Sequence, residues 1–268
     1  MSEQLKVSGL WRYPVKSLRG LVCERLGIGP RGPELDRQWM LVDSGGRFLT
    51  QRQQPRMALI DVALAADELV LRAPGMAALH LPLHGAAGET IPVTVWSDEC
   101  EGEPVDIAAD RWLSDFLAIE CRLVRFPDSA VRKVDRQYAR EGDQVGFADG
   151  FPLLLITQGS LDGLNARLNT PVDMRRFRPN LVIAGAEPHA EDGWRRLRIG
   201  ALEFEVVKPC SRCPIPGIDP DSAERTPEIL RVLASYRRGD DNKVYFGQNL
   251  LHRGEGELHI GQPVELLA

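Results

Sequence analysis

Short strand-like segments joined by tight turns dominate the first half of this 268-residue chain and restrict it to a mainly β fold. Segments 39–42 and 47–50 flank a glycine pair and predict a hairpin. A second hairpin is predicted from 57–64 to 69–71, and segment 91–96 predicts one more strand. The chain is long enough for one large or two modest domains, each with its own core.

Only three segments predict helices, so the fold class is α+β with few helices. Asp110 is the expected cap of the first, whose apolar residues share one face. Ser160 precedes the second segment, which again has helical spacing. In the third, Thr226 is the expected cap and Pro227 the first helical residue.

A hydrophilic stretch, 127–144, separates the strand-rich first part from a mixed second part. It holds Arg132, Lys133, Arg136 and Arg140 with few apolar residues. Loops of this length are uncommon in compact domains, so the stretch is either a linker or a long functional loop.

The charge distribution excludes several classes of function. The net charge is −5, and no basic stripe with interleaved aromatics is present, so we expect no nucleic-acid binding. No window approaches the ~20 apolar residues of a membrane span, and the first residues lack the apolar run of a signal peptide. With five cysteines, an odd number, these features favour a cytoplasmic protein without a membrane partner.

The segment 208–214 places two thiols, Cys210 and Cys213, three positions apart beside Lys208 and Arg212. Neighbouring cations favour the thiolate, which is the form that binds metals and acts as a nucleophile. The pair is therefore expected to form a small electropositive pocket for a soft ligand.

Four interpretations of this pair differ in what the thiolates bind. The other cysteines form no second C-x-x-C, and His189 and His252 lack the spacing of a zinc half-site, which disfavours zinc. Pro214 and Pro216 prevent the helix that a thioredoxin-type dithiol needs. Two buried structural cysteines, or one thiolate on a heavier and softer metal, remain open.

Other motifs point to an anion. Lys16 and Ser17 lie in a tight loop that suits a phosphate, although an ordinary basic turn is an equal alternative. Arg37 and Arg52 lie near strand ends, and Arg178 precedes a buried strand. Arg37 and Arg52 each have the fork geometry that binds oxyanions, and each is also compatible with a solvated surface position. Arg178 lies where a strand begins, which is a common place for binding residues.

Five motifs in this order resemble the MOSC-domain proteins that have an N-terminal β-barrel domain, a group that includes the amidoxime-reducing components and the YcbX-type reductases. The resemblance extends over nearly the whole chain. It implies a β-barrel-like domain over 1–125 followed by a MOSC β-barrel domain over 126–268. The motifs are Tyr13-Pro14-Val15-Lys16-Ser17, Asp36-Arg37, Phe177-Arg178-Pro179-Asn180, Cys210-Ser211-Arg212-Cys213 and Phe246-Gly247-Gln248-Asn249.

The resemblance implies a molybdenum cofactor, Mo-molybdopterin, with Cys213 as the metal ligand and Cys210 as an unligated neighbour. Asp149 is the candidate for proton delivery, with a structural role equally weighted. The residues expected around the pterin and its phosphate are Lys16, Ser17, Arg37, Arg52, Asp149, Arg178, Asn180, Ser211, Arg212 and Asn249.

The function implied is an oxidoreductase that reduces N-hydroxylated compounds, such as amidoximes, hydroxylamines and N-hydroxylated bases. No iron–sulfur, haem or flavin motif is visible, so the electrons are expected from a separate ferredoxin- or cytochrome-type protein with its reductase. The alternative is a molybdenum-cofactor or sulfur carrier that turns over no small molecule. Residues 214–220 depart from the pattern of the better-known reductases, which leaves substrate choice open.

Overall fold

The computed structural model describes residues 4–85 and 88–267. The expectation that no signal peptide opens the chain rests partly on residues 1–3, which lie outside this part. No helix within the described ranges has both the length and the apolar character needed to cross a membrane.

The structure is predominantly β, as predicted. The first half forms β1 (Lys6–Arg12), β2 (Leu21–Cys23), β3 (Arg25–Gly29), β4 (Gly32–Pro33), β5 (Trp39–Val42), β6 (Asp61–Ala65), β7 (Glu68–Arg72), β8 (Leu79–Pro82), β9 (Ile91–Val95), β10 (Asp98–Pro104) and β11 (Arg122–Arg125). The second half forms β12 (Arg132–Lys133), β13 (Gln144–Val145), β14 (Leu153–Thr157), β15 (Leu181–Ala184), β16 (Arg196–Ile199), β17 (Leu202–Ser211), β18 (Tyr245–Arg253), β19 (Gly256–His259) and β20 (Val264–Leu267).

Helices are few and short. The α-helices of the described chain are α1 (Ile107–Leu117), α2 (Gln158–Asn165) and α3 (Glu228–Tyr236). Short 3₁₀ helices cover Pro55–Leu59, Met174–Phe177, Ala190–Gly193 and Ile215–Gly217.

The largest sheet joins the beginning of the chain to its second half. Its eight strands run in the order β2-β1-β15-β14-β18-β17-β16-β20, parallel between β14 and β15 and antiparallel elsewhere. β1 lies directly beside β15, and β3 pairs with β19. Two strands of the first thirty or so residues, β1 and β3, are therefore hydrogen-bonded to strands of the second half, and the boundary between 125 and 126 stays a prediction.

Two smaller sheets complete the first half. β5, β11, β10 and β9 form one, and β6, β7 and β8 form the other. Between them lies a core in which α1 buries Leu113 and Phe116 against Leu41, Leu71 and Leu123. Burial of each such side chain contributes roughly 1.5–3 kcal/mol.

The two predicted hairpins have different outcomes. The second is confirmed, because β6 and β7 pair antiparallel. Its first strand is shorter than predicted, since residues 57–59 belong to a 3₁₀ helix and Ile60 caps that helix. The first is only partly correct. β5 turns back after Val42, but the return has isolated bridges at Arg47 and Phe48 and forms no ladder.

All three predicted helices exist, but the two predicted caps, Asp110 and Thr226, are wrong. Asp106 caps α1, and its Oδ1 accepts the N–H groups of Ala108 at 2.5 Å and Ala109 at 3.2 Å. Asp110 lies inside the helix and accepts the N–H of Leu123 at 2.8 Å, which fixes α1 to β11. A capping carboxylate and one that bonds a neighbouring strand are indistinguishable in the local sequence, because both precede an apolar face.

No cap was predicted for α2, and the predicted cap of α3 differs from the observed start of that helix. Thr157 caps α2, and its hydroxyl accepts the N–H of Ser160 at 3.2 Å. α3 begins after Pro227, which supplies no side-chain cap. The Thr226 hydroxyl donates to the carbonyl of Gly217 at 3.3 Å and so holds the turn that follows Cys213.

Replacement of the α1 cap tests this assignment. We expect Asp106→Ala to lower the free energy of unfolding by ~0.5–2 kcal/mol, because the N–H groups of the first turn lose their acceptor. Asp115→Ala, at an exposed position of the same helix, is the control and should change it by less than ~0.5 kcal/mol. Urea unfolding measures both, and equal changes would contradict the assignment of Asp106.

Candidate functional site

One cavity of about 720 Å³ collects residues from both halves of the chain. Every residue predicted for the site lines it, although the role of each stays a prediction. These residues are Lys16, Ser17, Arg37, Arg52, Asp149, Arg178, Asn180, Ser211, Arg212, Cys213 and Asn249. A volume of this size is within the range of small-molecule and cofactor pockets.

The cavity lining is strongly cationic although the chain as a whole is acidic, with a net charge of −5. Its only carboxylate among the described lining residues is Asp149. Low-dielectric walls focus such a charge excess, so the cavity favours an anionic ligand. The seven cationic lining residues are Lys16, Arg37, Arg52, Arg178, Lys208, Arg212 and Lys243.

Lys16, Asp149 and Trp96 form a hydrogen-bonded group in the cavity wall. Lys16 is only 5% exposed, and its Nζ donates to the Phe147 carbonyl at 2.7 Å and to Asp149 Oδ1 at 2.5 Å. The Trp96 indole Nε1 donates to the same Asp149 oxygen at 3.0 Å. Each donor comes from the first half of the chain and reaches a carboxylate from the second.

Two opposing effects act on the pKa values of Lys16 and Asp149: burial, and the ion pair between the two side chains. Burial lowers the pKa of Lys16, and the Asp149 carboxylate counteracts part of that effect. Burial alone would raise the pKa of Asp149. The Lys16 ammonium and the hydrogen bonds from Lys16 and Trp96 outweigh it and hold the pKa well below its ordinary value. Asp149 is therefore a carboxylate near neutral pH.

Arg132 supports the loop that carries Asp149. This guanidinium is 5% exposed and donates to the carbonyls of Gly146 at 2.9 Å and Ala148 at 2.5 Å. It also pairs with Asp98 at 2.7 Å. The hydrophilic stretch 127–144 is thus folded against the site, and β12 and β13 pair within and beside it. Sequence reasoning noted Arg132 only as one charge of this stretch.

Tyr13 forms a support for two of the arginines. The Arg37 and Arg178 guanidinium carbons lie 4.4 and 4.3 Å from the centre of its buried ring. The Tyr13 hydroxyl donates to the Pro179 carbonyl at 3.1 Å, and Arg178 donates to the Leu18 carbonyl at 2.7 Å. Burial lowers the pKa of Arg178 to about 10, so it remains charged at neutral pH.

Five lining residues that are not glycine have left-handed backbone conformations. Their φ angles are 66° for Ser17, 47° for Arg37, 60° for Trp96, 57° for Arg178 and 62° for Asn242. Such conformations are unfavourable for residues with a Cβ and cluster where the surroundings impose them, often at functional sites. Sequence reasoning could not identify Trp96 or Asn242, because nothing local marks a non-glycine residue as left-handed.

The two predicted asparagines have their amide groups committed within the protein. The buried Asn180 accepts from Arg37 Nη1 at 3.0 Å and donates to the Trp11 carbonyl at 3.2 Å. Asn249 donates to the Lys208 carbonyl at 3.1 Å, between paired strands β18 and β17. In this geometry Asn180 orients Arg37, and Asn249 supports the strand that leads to the cysteines.

The thiol of Cys210 does not have the low pKa that its cationic neighbours suggested. Arg212 donates to Cys210 Sγ at 3.2 Å, yet burial outweighs this cation and raises the pKa of the Cys210 thiol. Lys208 lies over the Tyr138 ring at 4.5 Å. Cys213 is half-buried in the cavity lining, and no hydrogen bond from the described residues reaches its sulfur.

The donor set fits an anion combined with a soft centre. The Arg212 Nε is buried without a hydrogen-bond partner among the described residues, and the Arg52 guanidinium lies 4.2 Å over the Trp96 ring. These cations face a cavity that also contains a thiol, Cys213. Within the described ranges, no three or more His, Cys, Asp or Glu side chains are grouped to hold a metal ion.

Two family models together match most of the chain. Residues 4–120 match the MOSC N-terminal beta barrel domain, and residues 142–265 match the MOSC domain. The two matches follow each other in the order implied by the motifs.

Curated relatives match over nearly the full length. The mitochondrial amidoxime-reducing component 1 of Mus musculus is 35% identical over 279 residues, covering 97% of this chain and 82% of that protein. The Homo sapiens protein of the same name is 36% identical with the same coverage of both chains. The molybdenum cofactor sulfurase of Oryza sativa subsp. japonica is 34% identical over 94% of this chain but only 34% of its own length. The chain therefore belongs to the family of MOSC-domain proteins with a MOSC N-terminal β-barrel domain.

Proposed function

We propose that this protein is a molybdenum-cofactor-dependent oxidoreductase that reduces N-hydroxylated compounds. The observation that supports this function best is the convergence of eleven motif residues on one cationic cavity that contains Cys213. The relatives named as amidoxime-reducing components give the proposal its reaction class.

Each part of the lining has a proposed role toward the cofactor. Lys16, Arg37, Arg52, Arg178 and Arg212 bind its anionic groups, because charge-assisted hydrogen bonds to phosphate oxygens are strong. Ser17 and Ser211 add hydroxyl donors, Asn180 and Asn249 hold the surrounding elements, and Cys213 supplies the thiolate ligand. When bound, the cofactor supplies the two-electron chemistry that removes oxygen from the substrate.

Asp149 has an electrostatic role in this proposal. Its lowered pKa keeps it ionised, which is the wrong state for a general acid. Its bond to Lys16 keeps that buried ammonium charged and oriented in the wall before any ligand arrives. Proton delivery, the role suggested from sequence, is replaced here by the positioning of Lys16.

The electron donor is proposed to be a separate ferredoxin- or cytochrome-type protein with its reductase, since the chain carries no motif for a second redox centre. A cytoplasmic location is a proposal from the sequence; the names of the relatives place those proteins in mitochondria.

A second candidate function is a carrier of the cofactor or of sulfur. The match to the rice molybdenum cofactor sulfurase favours it, because that relative is named for cofactor modification. Both functions require cofactor binding, so turnover separates them and metal content does not.

Electron supply provides the test of the reductase function. Purified, cofactor-loaded protein should be inactive toward benzamidoxime with NADH or NADPH alone. Reduced methyl viologen, or a ferredoxin or cytochrome with its reductase, should restore benzamidine formation, measured by chromatography. Turnover with pyridine nucleotide alone would reveal another redox group. Absence of turnover in every arm, with molybdenum bound, would contradict the reductase and favour the carrier.

Serine replacement separates the two cysteines. Cys213→Ser should reduce activity by at least ~10–100-fold, because a hydroxyl is a poor substitute for a soft thiolate ligand. Loss of a residue that only hydrogen-bonds to a metal ligand already costs this much. Cys210→Ser should keep a substantial part, since Cys210 is already engaged by Arg212. Rates and molybdenum per chain are measured for both variants. Equal losses in both would contradict a single ligand.

The Lys16–Asp149 pair predicts a pH effect on cofactor retention. Burial lowers the pKa of Lys16 and the carboxylate opposes that shift, so Asp149→Asn should lower it further. Lys16 attracts an anion only in its charged form, so its contribution to retention is lost as pH rises through this pKa. The alkaline limit of retention should therefore move to lower pH in Asp149→Asn.

Molybdenum per chain after gel filtration from pH 6 to 9.5 measures this limit. Asp241→Asn is the control, because its carboxylate pairs with another cavity-lining cation, Lys243, at 3.1 Å. A common alkaline limit for both variants and the wild-type protein would contradict the proposed role of Asp149.

A further inference from the structure

Trp96 is the largest exposed side chain in the cavity wall, and the cofactor role of the site does not account for it. Its side chain is 43% exposed, an unusual state for tryptophan, and its φ of 60° is unfavourable for a residue with a Cβ. It lies in the turn between β9 and β10. Glycine would adopt this φ without strain, so a tryptophan at this position costs backbone energy, and its exposed ring leaves apolar surface in water.

Contacts on several sides hold the indole in one orientation. Its Nε1 donates to Asp149 at 3.0 Å. The Arg52 guanidinium lies 4.2 Å from the ring, and the Phe48 ring centre is 5.2 Å away at a tilt of 54°. A ring fixed in this way loses little conformational entropy when it contacts a ligand.

The remaining exposed surface of Trp96 belongs to the lining of the cavity. It therefore presents a rigid, apolar, flat surface inside a site that is otherwise rich in cations. Planar π systems stack on such a surface in a way that aliphatic groups cannot, because offset stacking depends on the quadrupole of both partners.

We propose that Trp96 is a specificity-determining residue that selects planar aromatic or heteroaromatic N-hydroxylated substrates over aliphatic ones. This inference rests on the proposed reductase function and adds to it the class of substrate preferred by this chain. The hydrogen bond to Asp149 and the cover by Arg52 set the angle at which the indole meets the substrate.

Two amidoximes with the same reacting group test the proposal: planar benzamidoxime and aliphatic acetamidoxime. Trp96→Leu keeps apolar bulk but removes the ring, and should lower kcat/KM for benzamidoxime by about 2- to 10-fold. The value for acetamidoxime should change by less than about twofold. Trp96→Phe keeps a ring but loses the hydrogen bond to Asp149 that orients it, so its kcat/KM for benzamidoxime should lie between those of Trp96→Leu and wild type.

Trp112→Leu is the matched control, because Trp112 packs on Phe116 and lies outside the cavity lining. It should leave the ratio of the two kcat/KM values unchanged. Molybdenum per chain should be equal in all variants. A fall in molybdenum confined to Trp96→Leu would overturn the proposal, because Trp96 would then belong to the cofactor cradle. A similar loss for both amidoximes would overturn it as well.

Calorimetric titration of both amidoximes into loaded protein without reductant gives a readout independent of turnover. Wild type should bind benzamidoxime more tightly than acetamidoxime. Trp96→Leu should reduce the ratio of the two dissociation constants by about 2- to 10-fold, as in the kinetics. Lack of turnover in wild type would count against the reductase function alone, whereas lack of a binding preference would overturn the inference about Trp96.

Discussion

The ion pair between Lys16 and Asp149 is the contact on which the candidate site depends. A buried ammonium without a partner is strongly unfavourable, and Asp149 is the carboxylate of the cavity that meets it. The pair fixes the distance between a loop of the first half and the loop that follows β13. Trp96 and Arg132 then hold the carboxylate and its loop from two further sides. Loss of Asp149 would leave the buried Lys16 ammonium as an uncompensated charge in the wall.

The electrostatics of the rest of the cavity follow from this arrangement. Among the described lining residues, only Lys16 pairs with a carboxylate of the lining itself. Other cations, such as Arg37 with Asp36 and Lys243 with Asp241, pair with groups outside the lining. The cavity therefore keeps a positive potential inside an acidic protein. A preorganised potential of this kind binds an anion without the cost of gathering charges at the time of binding. The left-handed residues of the lining contribute to this preorganisation. Their backbone conformation places loop side chains in the lining of the cavity.

The partial agreement between prediction and structure has a common physical explanation. Hairpin β6–β7 and the three helices depend on apolar periodicity and were found from sequence, because periodicity acts within a few residues. The caps were misplaced because Asp106 and Asp110 differ only in what each carboxylate reaches, and the partner of Asp110 is thirteen residues away in β11. The low thiol pKa expected for Cys210 also failed, since burial outweighs Arg212.

The sequence by itself determined the fold class, the order of the motifs and the chemical types of the site residues, because each is carried by local pattern or residue identity. Tertiary structure alone decided that Lys16, Asp149 and Trp96 meet, that Asn180 accepts a hydrogen bond from Arg37, and that β1 joins the sheet of the second half. These contacts join residues more than fifty positions apart. Long-range pairing of that kind is fixed by the packing of whole sheets, which no local sequence pattern encodes.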